Sequence, residues 1–450
     1  MARQRATRGR LARTSALALA VAVWGALAAA AGAVAPAAAQ AGWGRPFALA
    51  PPGSLDLIPT QLAFSPRGAA AAGFGTEDVD TPGSAQAYVT IRAAGGALSS
   101  PFTVAGARQI LALAYDASGL ELLTGSSPRG MTCCSAAAFV RLSGQGSLER
   151  PRTLVSGLTG ATQGRLLKLG NGALLAAVAT ERGVWVIQSS SADRFGAQHR
   201  LTAAREMPET MDAAWLGGQS TIVAWTAGTG LSGTADPRTI SYATGSRSGP
   251  PRRVRTLLTV PPGHRIDELG VARRGSGATA AWVQSWYDRR GSFHSELDTA
   301  DIAARLAVRR LSSLGQAASG LTIAADAAGD QGVAWKSCRP GGGCTAQATG
   351  RGPARAGFGA AHSFGPVDSS QTPALAVGPH GQVVVGWVRS GHPVAAVGSA
   401  PGPRFGPVRM LSNTVYALDE TVGVGAVGGP LAAWSQGTLN PSVVGAAYTG

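Results

Sequence analysis

Lysine is almost missing from this chain: of its 39 basic residues only Lys168 and Lys336 are not arginine, and charged residues of both signs make up just 14% of 450. Aromatic residues reach 6%, and there are four cysteines. The low charge, set against 45% hydrophobic residues, excludes an intrinsically disordered chain, because there is ample apolar material for a core. Long helices are excluded from the other side. With 63 Gly and 27 Pro, one residue in five interrupts regular structure, and short strands joined by turns fit that composition.

Chemical signatures are missing too. There is no GxSxG nucleophile elbow, no HExxH zinc motif and no GxxxxGK phosphate loop. One GxGxxG spacing occurs at Gly423, Gly425 and Gly428, but Pro430 and the strand-like LAAW follow it where a dinucleotide site needs a helix. No cofactor and no metal is expected. The cluster Glu77, Asp78 and Asp80 lacks the ligand spacing of a calcium loop and is read as solvated.

The first 41 residues read as a secretory signal peptide. Five arginines precede an Ala-rich apolar run from about Ala16 to Val34, and small residues at Ala37, Ala39 and Ala41 allow cleavage before Gln40 or Gly42. An uncleaved run would leave an N-terminal anchor; no later run is long enough to span a bilayer. Loss of Arg3, Arg5, Arg8, Arg10 and Arg13 leaves 34 basic against 24 acidic residues, a balance of +10. The remaining arginines are scattered and no interleaved aromatics form a base-stacking platform, so no nucleic-acid partner is expected. An acidic cell-wall polymer is the partner that charge alone suggests. In an exported chain the cysteines should be oxidised. Cys338 and Cys344 bracket RPGGG and suit a disulfide closing a hairpin, whereas the adjacent Cys133 and Cys134 leave their pairing open.

The decisive feature is a repeat. Taking Trp387 in QVVVGWV as anchor, equivalents stand at Phe74, Gly125, Val178, Trp225, Trp282, Trp335 and Trp434, with gaps of 51, 53, 47, 57, 53, 52 and 47 residues. Each unit carries several strand-length apolar runs, and a closing aromatic-Gly segment recurs, as in DRFGAQHRLT and RFGPVRMLS. The last unit ends without that segment, and GWGRPFALA at residues 42–50 supplies it from the other terminus. Residues 43–450 are therefore predicted to form one all-β domain, an eight-bladed β-propeller of about 51 residues per blade, closed by the first strand of the mature chain. Seven blades are the alternative, since the first three copies lack the Trp. Apolar residues on both faces of runs such as QVVVGWV fit sheets covered on both sides, and the five anchor tryptophans are assigned to packing.

The pattern P-x-L-A-V-x-P-x-G-x-V-V-V-x-W resembles repeats of the NHL-like and sialidase-like propeller groups, and of exported actinobacterial propellers. The resemblance covers residues 43–450 and implies fold alone. The Asp-box of sialidases, Gly-Gly of kelch repeats and Trp-Asp of WD repeats do not recur, and no catalytic residue carries over.

Candidate binding residues follow from loop placement. Loops between second and third strands share a face with the loops leading into each blade. The former bring Met131, Cys133 and Cys134, Asp236, and the longest insert, SWYDRRGSFHSELD, with Trp286, Tyr287, Asp288, Arg289, Phe293 and His294. The latter bring Gln109, Gln163, Asp212, Asp267, Glu268, Gln371, Asp419 and Glu420 towards the mouth of the channel. Tyr416 with Glu420 could imitate the Tyr-acid pair of sialidases. The reading is a secreted, monomeric binding or scaffold protein for a cell-envelope polymer, glycan or protein; a carbohydrate-active hydrolase or lyase with acids at the mouth is the alternative.

Overall fold

The computed structural model describes residues 42–49, 55–78, 85–94, 96–115, 119–127, 134–143, 146–157, 163–190, 194–204, 206–229, 237–246, 249–302, 306–402, 404–427, 429–437 and 442–449. The expected leader, Asp80, Met131, Cys133 and Asp236 lie outside them, as do the side chains of Glu77 and Asp78. No helix among the described residues is long and apolar enough to cross a membrane.

Eight antiparallel sheets follow one another along the chain. Blade 1 spans residues 55–104, blade 2 109–156, blade 3 163–200, blade 4 206–259, blade 5 264–310, blade 6 317–367, blade 7 374–410 and blade 8 417–449. The first strand of each blade touches the first strand of the next, and Ala417–Gly425 of blade 8 returns to Leu55–Phe64 of blade 1, so the ring closes at eight. Gly42–Trp43 and Phe47–Ala48 pair with Ser442–Thr449 as the outermost strand of blade 8. This pairing covers an edge that would otherwise present unpaired amides.

All eight sequence anchors fall on second strands and all are buried, Trp225, Trp335, Trp387 and Trp434 completely. The cause is the one the apolar runs predict: each second strand is covered on both faces by neighbouring blades, so alternation is lost. Gly423 and Gly425 lie in the first strand of blade 8, where the Phe64 ring of blade 1 occupies the space a Cβ would need; their GxGxxG spacing is a packing feature. Cys338 and Cys344 are a cross-strand pair joined by a disulfide, with 4.0 Å between their Cα atoms, and close the hairpin tip of blade 6. Cys134 is also disulfide-bonded.

Strand direction alternates within a blade, so incoming loops and the tips between second and third strands lie on one face, here the upper. Turns between first and second strands and the connections between third and fourth lie on the lower face.

Candidate functional site

Several polar residues expected to line the mouth instead join blade to blade. First strands carry β-bulges near their upper ends, at 208–211, 266–268, 319–322 and 418–421. A bulge removes amides from the ladder, and a buried amide needs another acceptor. The preceding blade supplies it. Glu268 accepts from Gly320 at 2.7 Å and also from Leu321, Gln163 accepts from Met211 at 2.6 Å, and Gln371 accepts from Asp419 at 3.1 Å. Asp212 accepts from Val271 at 2.8 Å and from Arg165 Nε at 2.6 Å. Asp267 is held by Arg265 at 2.6 Å, and Arg265 also reaches Glu209 at 3.4 Å. Glu268 thus bridges blades 5 and 6 through both of its carboxylate oxygens.

Asp419 and Glu420 part company. Asp419 sits at a left-handed φ of 50° and is solvent-accessible, yet the surrounding protein pushes its carboxyl above the ordinary value. Glu420 turns into the interface with blade 7, 7% exposed, over Gly386, where a Cβ would overlap its Oε1. Among the described residues neither carboxyl oxygen has a partner in hydrogen-bonding geometry. Burial raises this carboxyl well above its usual range, and the nearby Val394 amide offsets little of that. Tyr416, 59% exposed, is in a different environment, so the structure does not present these two as a paired acid and phenol.

The burial of Glu420 sets a pH dependence. Its folded-state pKa is raised, so its stabilising contribution is complete below the unfolded carboxyl pKa, about 4.3, and is lost as pH rises through the folded value. Glu420→Gln removes that loss. We expect it to stabilise the fold by about 1–3 kcal/mol at pH 7, with the difference shrinking towards pH 4, in thermal melts across that range. An equal effect at both ends would contradict the burial.

The blade 5 insert is a hairpin extension and not a loop. Its strands run Gly277–Tyr287 and Phe293–Ile302, leaving only 288–292 as the turn. Asp288 ties that turn by accepting from the amides of Arg290 at 2.8 Å and Ser292 at 2.9 Å, and it contacts His294 Nε2 at 3.1 Å. The His294 hydrogen bond, with that of Ser292, holds the Asp288 carboxyl below its usual value. Trp286 is cross-strand neighbour to His264 and His294, and both rings stack on it, at centroid distances of 4.4 and 5.3 Å. The two histidines flank the Trp286 ring, which itself lines the groove described next. The exposed rings are Tyr287 and Phe293, an edge-on pair 5.4 Å apart, 71% and 53% exposed. Arg289 is exposed at the turn.

Beside this hairpin lies a groove of about 620 Å³. Its walls are the blade 5 tip, with Phe293 and His294, and the disulfide-closed blade 6 tip, with Arg339 and Pro340; the loop 312–316 forms its floor, where Leu314 is 81% exposed. Sequence reasoning found the hairpin but missed the floor, because Leu314 comes near only after the ring has brought blades 5 and 6 together.

A second missed cluster backs the groove. Glu296 and Asp298, on one face of their strand, both accept from Gln284 Nε2, at 2.8 and 2.7 Å, and Arg310 pairs with Glu296. Burial, then the neighbouring charge of Glu296, raises the Asp298 carboxyl. Both letters stand in the insert SELD, and their period-two spacing places them on one face because Phe293–Ile302 is a strand throughout. No group of three or more metal-ligating side chains occurs among the described residues.

No protein-family model matches this chain, and no curated protein matches it in sequence. Among solved structures it is similar to the Dos1 propeller, with 11% identity over 90% of this chain and 95% of that one and a TM-score of 0.50. It is also similar to an ulvan lyase of polysaccharide lyase family PL25, with 12% identity, 89% and 95% coverage and a TM-score of 0.49. A third is the β-propeller domain of the trilobed protease from Pyrococcus furiosus, with 8% identity, 79% and 98% coverage and a TM-score of 0.45. At such identities similarity speaks for architecture alone, and the architecture is that of an eight-bladed β-propeller.

Proposed function

We propose that the protein is an exported propeller that binds a cell-envelope polymer, glycan or protein, in the upper groove between blades 5 and 6. The observation that carries this reading is the groove itself: about 620 Å³, between two stiffened hairpin tips, with Phe293 and Leu314 exposed within it. Large apolar side chains left open on a rigid scaffold mark contact surfaces, and polar neighbours such as Arg339 and Gln316 can orient a ligand.

The test uses the secreted chain and the double variant Phe293→Ala with Leu314→Ala on a glycan array and on purified cell-wall sacculi with and without their proteins. Both side chains are exposed, so stability should change by less than about 0.5 kcal/mol each. Retention is expected to fall at least tenfold. Unchanged retention by the folded double variant overturns the site. A hydrolase or lyase reading has one observation in its favour, the Glu296 and Asp298 pair beside Arg310; release of new chain ends from a retained polysaccharide would select it.

A further inference from the structure

On the lower face, between the same two blades, a separate cavity of about 280 Å³ collects four arginines: Arg274, Arg309, Arg310 and Arg351. They come together because this face gathers strand ends. Arg274 closes the first strand of blade 5, Arg309 and Arg310 form its fourth, and Arg351 closes the third strand of blade 6. Among the described residues the single acid in the lining is Asp301.

Their partners are unequal. Arg351 is 3% exposed and fully engaged: it donates to Gln331 Oε1 at 2.6 Å, to Asp301 Oδ1 at 2.6 Å and to Thr279, and its guanidinium lies 4.4 Å from the Phe358 ring centre. Arg274 pairs with the other oxygen of Asp301, and Arg310 pairs with Glu296 outside the cavity. Arg309 is exposed and makes no ion pair among the described residues. Arg274 and Arg351 share the Asp301 carboxylate and Arg309 has no ion pair, so among the described residues three guanidinium groups face one counter-charge in the cavity, an excess of two positive charges.

We infer that this cavity is an oxyanion site, taking a phosphate or sulfate group carried on a small organic moiety, with Arg309 as its principal open donor. Guanidinium groups match tetrahedral oxyanions through paired N–H donors, and a group of charge near −2 balances the excess. Burial lowers the Arg351 pKa, and Arg274 and Arg309 add to that effect; a bound anion would relieve this repulsion. Alanines 300 and 307 and Phe358 line the rest of the cavity, and its volume is close to the lower limit of about 300 Å³ for pockets that hold a small molecule. The cavity shares Arg310 with the groove, but the test below substitutes Arg309, which lines this cavity and not the groove, so its outcome is distinguishable from that of the reading above.

The experiment titrates the full mature chain with inorganic phosphate, inorganic sulfate, glucose 6-phosphate and glucose 6-sulfate by calorimetry at constant ionic strength, with chloride as the control anion. Saturable binding of the phosphate or sulfate probes and none of chloride is expected, tighter for the sugar esters if the anion is carried on a ligand and equal if the free ion is what binds. Arg309→Gln, at an exposed residue whose guanidinium lies over Gly357 and makes no ion pair among the described residues, should weaken binding at least tenfold with the melting temperature little changed, whereas Arg289→Gln on the upper face should leave binding unchanged. Absence of binding, or equal affinities in the wild-type protein and Arg309→Gln, overturns the site.

Discussion

Leu49→Ala should lower the stability of the whole ring by about 2–4 kcal/mol, although Leu49 lies before the first residue of blade 1. The expectation rests on what this one side chain joins. Leu49 is 3% exposed and packs among Ala72 and Phe74 of blade 1 and Ala433 and Val443 of blade 8. Its amide donates to Val443 O at 2.8 Å, and its carbonyl accepts from Thr90 Oγ1 at 2.7 Å. Truncating it leaves a cavity at the seam where the last blade meets the first. Urea unfolding should show a lower midpoint, while Arg45→Ala, at an exposed position of the same segment, should stay within about 0.5 kcal/mol of the parent. Equal behaviour of the two variants would mean that the N-terminal segment does not close the ring.

That seam was legible in the sequence because the arithmetic of repeats exposed it: a closing segment missing at one end was present at the other. The anchors were legible for a related reason, since a second strand covered on both faces has a composition that survives even where Trp is replaced by Val178 or Phe74. The polar residues were not. Glu268, Gln163 and Gln371 stand where a ligand rim would be expected, and only the positions of the β-bulges reveal that a neighbouring blade needs them as acceptors. Bulges leave no reliable trace in a single sequence, because they depend on how two strands meet. Grooves between blades are harder still. Phe293 and Leu314, or Arg309 and Arg351, become neighbours through ring geometry that no local pattern records.

One further feature was within reach of the sequence. Glu121 interrupts the apolar run GLELL, and Arg141 interrupts AAFVRL; the structure makes them direct cross-strand partners in blade 2, 3.1 Å apart. They share a sheet face with Leu123 and Phe139, which pack towards blade 3, and Glu121 has no exposure at all. Removing one member of a buried pair leaves the other charge without its cross-strand counter-charge. Glu121→Ala is therefore expected to cost about 3–5 kcal/mol, among the largest losses available to a single substitution here. Replacing both members should behave quite differently. Glu121→Leu combined with Arg141→Met removes the two desolvation penalties together, and the double variant should recover most of the loss or exceed the parent in stability. Urea unfolding of the parent, the alanine variant and the double variant reads both effects. A loss below about 1 kcal/mol in Glu121→Ala would show that water reaches the pair, because exposed ion pairs contribute no more than that.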